Sequence, residues 1–487
     1  MRRALGWLLG LAAVIAVVLL LQGLLETKPR DAARPPSVDD ARALMGPFSV
    51  IVEKQSRAMY GDLGIDVRVV VRPGGGEDVA KLAERLFRTL EIGRGAPTGG
   101  ILILVDSENR RARIEVSYSL EGSFPDVTLS RLARDQLVPY ASHRALGMAV
   151  MDALHFLRTH ALDAMIAGEL ELTAQPSPGL SKEIAGRSGG GGAQVQLSSV
   201  PSHSEFKRRF PDELRARYAP STEPRESLAS FVRVQRDLAG DPSLELFTRA
   251  SRVMRDRYPV APYEEALRAE ATSEAWPLEL RVRGDYAAAV SSRPVREFVP
   301  ILMTREEGLW RVDLVETFKN LRFDRQGQYR LDNGATPYAS FFPDARPARD
   351  PSLAPIDLTG EPLEAAIERL ERSQASSDRF RLAEILMRNC FVSAEAISLY
   401  AELANETPPD PRHVVVFSER AVNLGMAEAA IPSVARLGPA HASRLGWLYE
   451  LSGDDDLAIQ QYRRALDRNP RDAYAREALG RLTREAH

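Results

Sequence analysis

Between Ala112 and Asp126 the chain reads ARIEVSYSLEGSFPD. Ile114, Val116, Tyr118 and Leu120 take alternate positions, and Arg113, Glu115, Ser117, Ser119 and Glu121 fill the gaps. This period of two predicts a β-strand with one covered face and one wet face. Upstream, IDVRVVVRP (Ile65 to Pro73) reads as another strand. DVAKLAERLFRTLEIG (Asp78 to Gly93) has Val79, Leu82, Leu86 and Leu90 at helical spacing, with Gly93 at the expected C-cap. GGILILVD (Gly99 to Asp106) is continuously apolar, the pattern of a central strand covered on both faces. ENRR turns it back into the first stretch, and LSRLARDQLVPY and ALGMAVMDALHFLRTHAL read as two further helices. The predicted order is helix–β–α–β–β–α–α, a sheet with helices packed on it.

The N-terminus follows another rule. After Arg2 and Arg3, an apolar run from Ala4 to Leu25 is broken only by Gln22. The hydrophobic core of a signal peptide spans roughly 7–15 residues, whereas a run near 20 crosses a bilayer. The stretch that follows, QGLLETK, offers no clean small-x-small cleavage site. We therefore read residues 1–30 as an uncleaved signal anchor, with a cleaved signal as the alternative. Arg2 and Arg3 keep the N-terminus cytoplasmic by the positive-inside rule, although Lys28, Arg30 and Arg34 follow the span. This reading makes the chain a single-pass protein of the cytoplasmic membrane, with its bulk periplasmic or otherwise extracytoplasmic. The single cysteine, Cys390, excludes an intramolecular disulfide and sits in a helical pattern, where packing is the expected role. A net charge of −3 gives no electrostatic case for nucleic acid.

After the compact stretch, taken as residues 36–172, the composition changes. SGGGGAQ (Ser188 to Gln194) has the make-up of a flexible linker, and 173–204 is assigned as one. Residues 205–345 open with helices (ESLASFVRVQRDLAG) and then turn strand-rich (LELRVRGDY, REFVPILMT, GLWRVDLVETF), an α+β order. The GLWRVDL phrase resembles sheets of SnoaL-like cones. That resemblance makes Asp313 a candidate pocket acid, against the plainer expectation of a solvated strand position. Residues 356–487 are helical throughout, an all-α region. Within them, LGWLYELSGDDDLAIQQYRRALDRNP (Leu445 to Pro470) resembles a tetratricopeptide repeat, with Leu445, Gly446, Tyr449, Gly453, Ala458, Tyr462, Ala465 and Pro470 at the motif's offsets. AEAISLYAELANETP and SERAVNLGMAEAAIPSVARLG supply further helix pairs. Such arrays engage peptides or protein partners; the alternative is a helical cap that serves stability alone.

The candidate chemistry lies at the end of the opening strand. An extended strand places Glu115 and Glu121 roughly 20 Å apart, too far for an acid–base pair. Gly122 and Pro125 make a bend that would bring Glu121 and Asp126 within reach of one metal ion, and hard cations such as Ca2+ take clustered oxygen ligands. The alternative is a solvated strand end. His155 and His160, five apart on a helix, diverge by about 140°, which excludes the i, i+4 zinc face. RPGGGED (Arg72 to Asp78) lacks the lysine and hydroxyl of a phosphate loop and is read as a simple loop.

The stretch EIGRGAPTGGILILVDSENRRARIEVSYSLEGSFPD (Glu91 to Asp126) resembles the TPM family, whose members include lumenal proteins of photosystem II repair and many bacterial membrane-anchored proteins. Ile92, Gly93 and Arg94 match the family's turn; Arg113 to Val116, Tyr118 and Leu120 to Gly122 match its strand; Asp126 matches its closing aspartate. The resemblance implies an αβα sandwich. It points to Glu121 and Asp126, with Glu115 or Asp39 and Asp40, as ligands of Ca2+ or another divalent cation. Thr98, Ser117, Ser119 and the FPD of Phe124 to Asp126 depart from the family's pattern. The resulting expectation is a membrane-anchored binding or assembly protein, with a metal-dependent phosphatase as the alternative.

Overall fold

A computed structural model describes residues 36–40, 43–137, 146–166, 170, 188–196, 212–237, 241–257, 262–293, 295, 298–323, 329–331, 336–342 and 355–485. The run from Ala4 to Leu25 lies outside them; among the described residues no helix is long and apolar enough to cross a membrane. The chain divides into two compact units, one drawing on Met1–Arg42, Val52–Ser130 and Leu154–Gln194, the other on Ala43–Ile51, Arg131–Ala153 and Val195–His487.

The first unit is built on a five-stranded sheet in the order β1-β2-β3-β4-β5. β1 (Val38–Asp40) is followed by helix α1 (Phe48–Leu63), then β2 (Ile65–Arg72), α2 (Val79–Thr89), β3 (Gly99–Asp106) and β4 (Arg111–Ser117). β1 and β2, and β2 and β3, pair parallel, while β3 and β4 form an antiparallel hairpin. A parallel pair needs a crossover, and α2 supplies it. Its sequence dictates both ends. Asp78 caps it by accepting from the N–H groups of Ala80 and Lys81. Its apolar stripe of Val79, Leu82, Ala83, Leu86 and Phe87 packs on Val70, Leu102 and Leu104. Each Val, Leu or Phe among them contributes about 1.5–3 kcal/mol by leaving water. Every residue of β3 is buried, as its unbroken apolar run predicts.

Several expectations need correction. α2 ends at Thr89, ahead of Gly93. Gly93 serves a close approach instead: a Cβ there would stand 2.7 Å from the Gly100 nitrogen, and its φ of +78° suits glycine. β4 stops at Ser117, and Tyr118–Leu120 form a 3-10 turn, so the alternation outlasts the strand. The face expected to be wet is covered: Glu115 is 1% exposed and Ser117 is fully buried. Glu115 lies opposite Leu102, on the face that α2 covers. The stretch expected to be a flexible linker is β5 (Ser188–Gln196), the fifth strand. Its glycines are a packing requirement. A Cβ at Gly192 would lie 2.7 Å from the Ile114 carbonyl and 2.8 Å from both Arg113 and Glu115 side-chain atoms. Glycine within a strand marks such an approach. The chain continues from Gly122 and Pro125 into α3 (Asp126–Leu132) and later α4 (Leu146–Ile166).

In the second unit, helices α5 (Asp212–Ala216), α6 (Pro224–Arg236), α7 (Arg249–Arg257) and α8 (Pro262–Glu274) precede a meander of β6 (Leu278–Arg283), β7 (Tyr286–Ser291), β8 (Ile301–Glu306) and β9 (Leu309–Val312). The expected α+β order is thus found. Both faces of β7 are covered. Ala287 and Ala289 join a core with Phe231, Phe247 and Trp310, while Ala288 and Val290 join another with Tyr338 and Phe341. DLVETF leaves the strand expected of it. Asp313 is the N-cap of α9 (Leu314–Asn320), its side chain accepting from the Glu316 N–H, and it is 9% exposed rather than solvated. A hairpin of β10 (Leu321–Phe323) and β11 (Tyr329–Leu331) follows.

From α10 (Leu363–Glu371) onward the unit is helical: α11 (Ser376–Arg388), α12 (Ser393–Ala404), α13 (Pro411–Asn423), α14 (Ala427–Arg436), α15 (Ala442–Leu451), α16 (Asp455–Arg468) and α17 (Ala473–Glu485). Consecutive helices pack on one another. At the α15–α16 contact a Cβ on Gly446 would meet the Tyr462 ring at 2.8 Å, so a small residue is required there. Tyr462 is buried and its hydroxyl donates to Glu450. Cys390 is fully buried, and burial pushes its thiol up to about 12, which keeps it protonated.

Candidate functional site

Three segments meet at the end of β4. Glu115 carries its carboxylate Oε2 2.7 Å from the Arg113 Nε. This buried pair is covered by the glycine strand, because Gly192 leaves room for both side chains. Half-buried Glu121 follows the 3-10 turn, its N–H donating to the Tyr118 carbonyl at 3.3 Å. Exposed Asp126 opens α3, and its Oδ1 accepts the Gly192 N–H at 2.9 Å. Gly192 is therefore the neighbour shared by Glu115 and Asp126. Between Glu121 and Asp126, the Ser123 carbonyl is held 2.8 Å from His160 Nε2. The His160 ring packs between Phe124 and Phe156. His155, by contrast, is exposed.

Asp39 and Asp40 are not brought to this cluster. They pair with Val70 and Val71, toward the C-terminal end of β2, whereas Val116 pairs with Ile101 near the N-terminal end of β3. Among the described residues no three of His, Cys, Asp and Glu converge as metal ligands would.

Sequence reasoning passed over two buried aspartates. Asp66, 4% exposed, accepts from Arg68 Nε at 3.1 Å and from the Gly93 N–H at 3.0 Å, and so fixes the turn that follows α2. The signal was there: Asp66 and Arg68 share one face of an otherwise valine-rich strand. Beside them, Ser117 Oγ accepts the Gly100 N–H at 3.0 Å, and Ser119 Oγ donates to the Thr98 carbonyl at 2.8 Å. The two serine oxygens lie 2.9 Å apart. Asp106, at the far end of β3, is fully buried. Burial pushes its pKa up, but donors from Asn109, Gly74 and Glu108 outweigh this and hold it below the usual carboxylate value. RPGGGED wraps this carboxylate: Gly74 donates to Asp106 at 2.8 Å and Gly75 to Glu108 at 3.0 Å. Those N–H groups are taken by the protein itself, which explains why the loop is no phosphate cradle.

The model of one family, described as the TPM domain, matches residues 37–158. That segment is a TPM domain. The chain is also similar to the solution NMR structure of the N-terminal domain of a protein from P. gingivalis. The identity is 24% and the TM-score 0.25, over 29% of this chain and 87% of that one. No curated protein matches the chain.

Proposed function

We propose that this chain is a membrane-anchored, extracytoplasmic binding and assembly protein, held by the apolar run Ala4 to Leu25, whose TPM domain and C-terminal helices engage protein partners. The observation that carries the reading is an open groove of about 490 Å³ in the helical region, lined by Glu419, His441, Arg444, Trp447 and Tyr474. Tyr474 is 47% exposed, and the Arg444 guanidinium lies 6.0 Å from the Trp447 ring centre. Arg444 is steadied by Glu419 at 3.1 Å and Ser418 at 2.9 Å. Aromatic rings beside a positioned guanidinium suit a peptide with an aromatic or proline side chain flanked by polar groups. A photo-reactive amino acid at Ser443, which lines the groove, tests this in intact membranes. A discrete adduct that Trp447→Ala removes is expected. Equal labelling from Ser443 and from exposed Arg463 would refute the groove as the docking site.

A divalent-cation site at Glu121 and Asp126 is the second reading. It is favoured by exposed Asp126, whose Oδ1 accepts the Gly192 N–H. Glu115 does not fit as a ligand, because Arg113 holds its carboxylate within the sheet. A hard cation taking about six to eight oxygens would then draw on backbone carbonyls and water besides these two carboxylates. A metal-dependent phosphatase rests on this second reading. Thermal unfolding with and without millimolar Ca2+ or Mg2+, beside Asp126→Asn, tests the cation site. A rise that the variant abolishes supports it, and coincident curves remove it.

A further inference from the structure

The meander of the second unit has two edges, and only one of them is closed. Along β9, the Trp310 N–H donates to the Ser221 carbonyl and the Val312 N–H to the Leu246 carbonyl, both at 2.8 Å. β6 forms the other edge, with β7 as its one neighbour in the sheet. The register fixes which backbone groups are left over. Arg283 pairs with Tyr286 across a two-residue turn, so Arg283, Arg281 and Glu279 direct their N–H and C=O groups at β7. The Asp285 carbonyl confirms this phase, because it points the other way and accepts the Arg305 N–H of β8 at 2.9 Å. Leu278, Leu280 and Val282 therefore turn their N–H and C=O groups to the open side, where none of the described residues bonds to them.

An open edge accepts a further strand, and sheets commonly blunt it with charge. The charges of β6 do not repel a copy of the same strand. When β6 is laid antiparallel on a second copy, with Leu280 opposite Leu280, the sequence LELRV meets its own reverse. Leu278 then faces Val282 and Glu279 faces Arg281, and both matches recur across the two-fold axis. The open groups of Leu278, Leu280 and Val282 fall on the hydrogen-bonded rungs. On the core-facing row, Leu280 and Val282 stand opposite Ala289 and Ala287, and Val282 is left 46% exposed. The second copy's Leu278 would cover it. On the other row, Glu279 and Arg281 already lie 2.8 Å apart within one strand, and they would join the same pair of the second copy in one network. The next register fails, because with Val282 on the axis Arg281 would face Arg283 and Glu279 would face Asp285. We propose that two copies of this chain join through β6 in the Leu280-centred register, which makes their two meanders one continuous sheet. The proposal is independent of the groove on the C-terminal helices.

Sedimentation equilibrium of the full chain in density-matched detergent reads the assembly, and wild type is expected to dimerise. Glu279→Arg sets arginine against Arg281 on both charged rungs and is expected to raise the dissociation constant about tenfold or more. Glu279 is exposed, so this substitution leaves the fold of the single chain intact. The register is read by disulfide formation between co-expressed Glu279→Cys and Arg281→Cys chains. Facing residues on a rung without hydrogen bonds stand about 4.5 Å apart at Cα, within disulfide reach. Two copies of the same position are diagonal neighbours, about 7–8 Å apart. The mixture should therefore cross-link, and neither variant should link to itself. Cys390 is buried with its thiol protonated and stays out of the reaction. A monomeric wild type, a dimer that Glu279→Arg leaves intact, or a disulfide in either single variant but not in the mixture would overturn the proposal.

Discussion

Asp313 ties the stability of the second unit to pH in an unusual direction. Its Oδ1 accepts the Glu316 N–H at 3.1 Å and its Oδ2 accepts the Tyr338 hydroxyl at 3.1 Å. Burial penalises the charged form, and the Glu316 and Glu306 carboxylates add to that penalty. The two hydrogen bonds work against both, and the net result is a pKa pushed up to about 7. The folded chain therefore holds a proton between about pH 4 and 7 where the unfolded chain has released it. Stability falls as pH rises through that window and levels off above it. The gap between about 7 and the ordinary 3.8 corresponds to about 4 kcal/mol. Asp313→Asn keeps a good N-cap and can neither take up nor lose this proton. The variant should match wild type only below about pH 4, lead it by about 1.5 kcal/mol near pH 5 and exceed it by up to about 4 kcal/mol at pH 8. Urea unfolding at both values, followed through the buried Trp310 in the neighbouring core, reads this directly. A wild-type stability that is flat from pH 5 to 8, or a variant equally weakened at both, would refute the reasoning.

Asp106 should behave in the opposite sense. Its pKa is held low, so its contribution is present above pH 4 and is lost as the pH falls; Asp106→Asn should flatten the acid limb of unfolding for the TPM domain. Gly192→Ala drives a methyl group into the Ile114 carbonyl and should cost about 1–3 kcal/mol. Amide exchange should accelerate over Ser188–Gln196 while β2 and β3 keep their protection. In the second unit, Arg257 bridges Glu371 on α10 and Glu395 on α12. Glu395 is 6% exposed, so Arg257→Ala takes the guanidinium away from a buried carboxylate and should cost about 3 kcal/mol in urea unfolding, with Arg257→Ala/Glu395→Gln recovering part of it.

What the sequence made legible were the elements whose burial follows a simple period. The unbroken run of β3, the stripe of α2 and the hairpin between β3 and β4 could be drawn from residue types alone. Where burial departs from period, the reading failed. Glu115 looked wet because its neighbours alternate, yet α2 covers that face and β5 closes the edge beside it. DLVETF looked like more strand because Val315 and Phe318 suit either state, and the capping role of Asp313 shows only once Glu316 and Tyr338 are in place. Asp66 and Asp106 were passed over because each is also held by a backbone N–H from a distant turn, Gly93 for Asp66 and Gly74 for Asp106, and those partners leave no mark in side-chain spacing, whereas the i, i+2 spacing of Asp66 and Arg68 does.

The four glycines Gly189 to Gly192 carry a consequence for how the gene can change. In a linker their number would matter little, and a repeat that gained or lost one copy would pass unnoticed. In β5, Gly192 stands at a fixed place, against the Ile114 carbonyl and the Asp126 carboxylate. Ala193 is 2% exposed while Gln194 faces outward. A slip of one residue turns every side chain of a strand to the other face. It would also draw the Gly192 N–H away from Asp126. The repeat that looks most tolerant of length variation is thus counted to the residue, and insertions there should be selected against as strictly as a frameshift within the core.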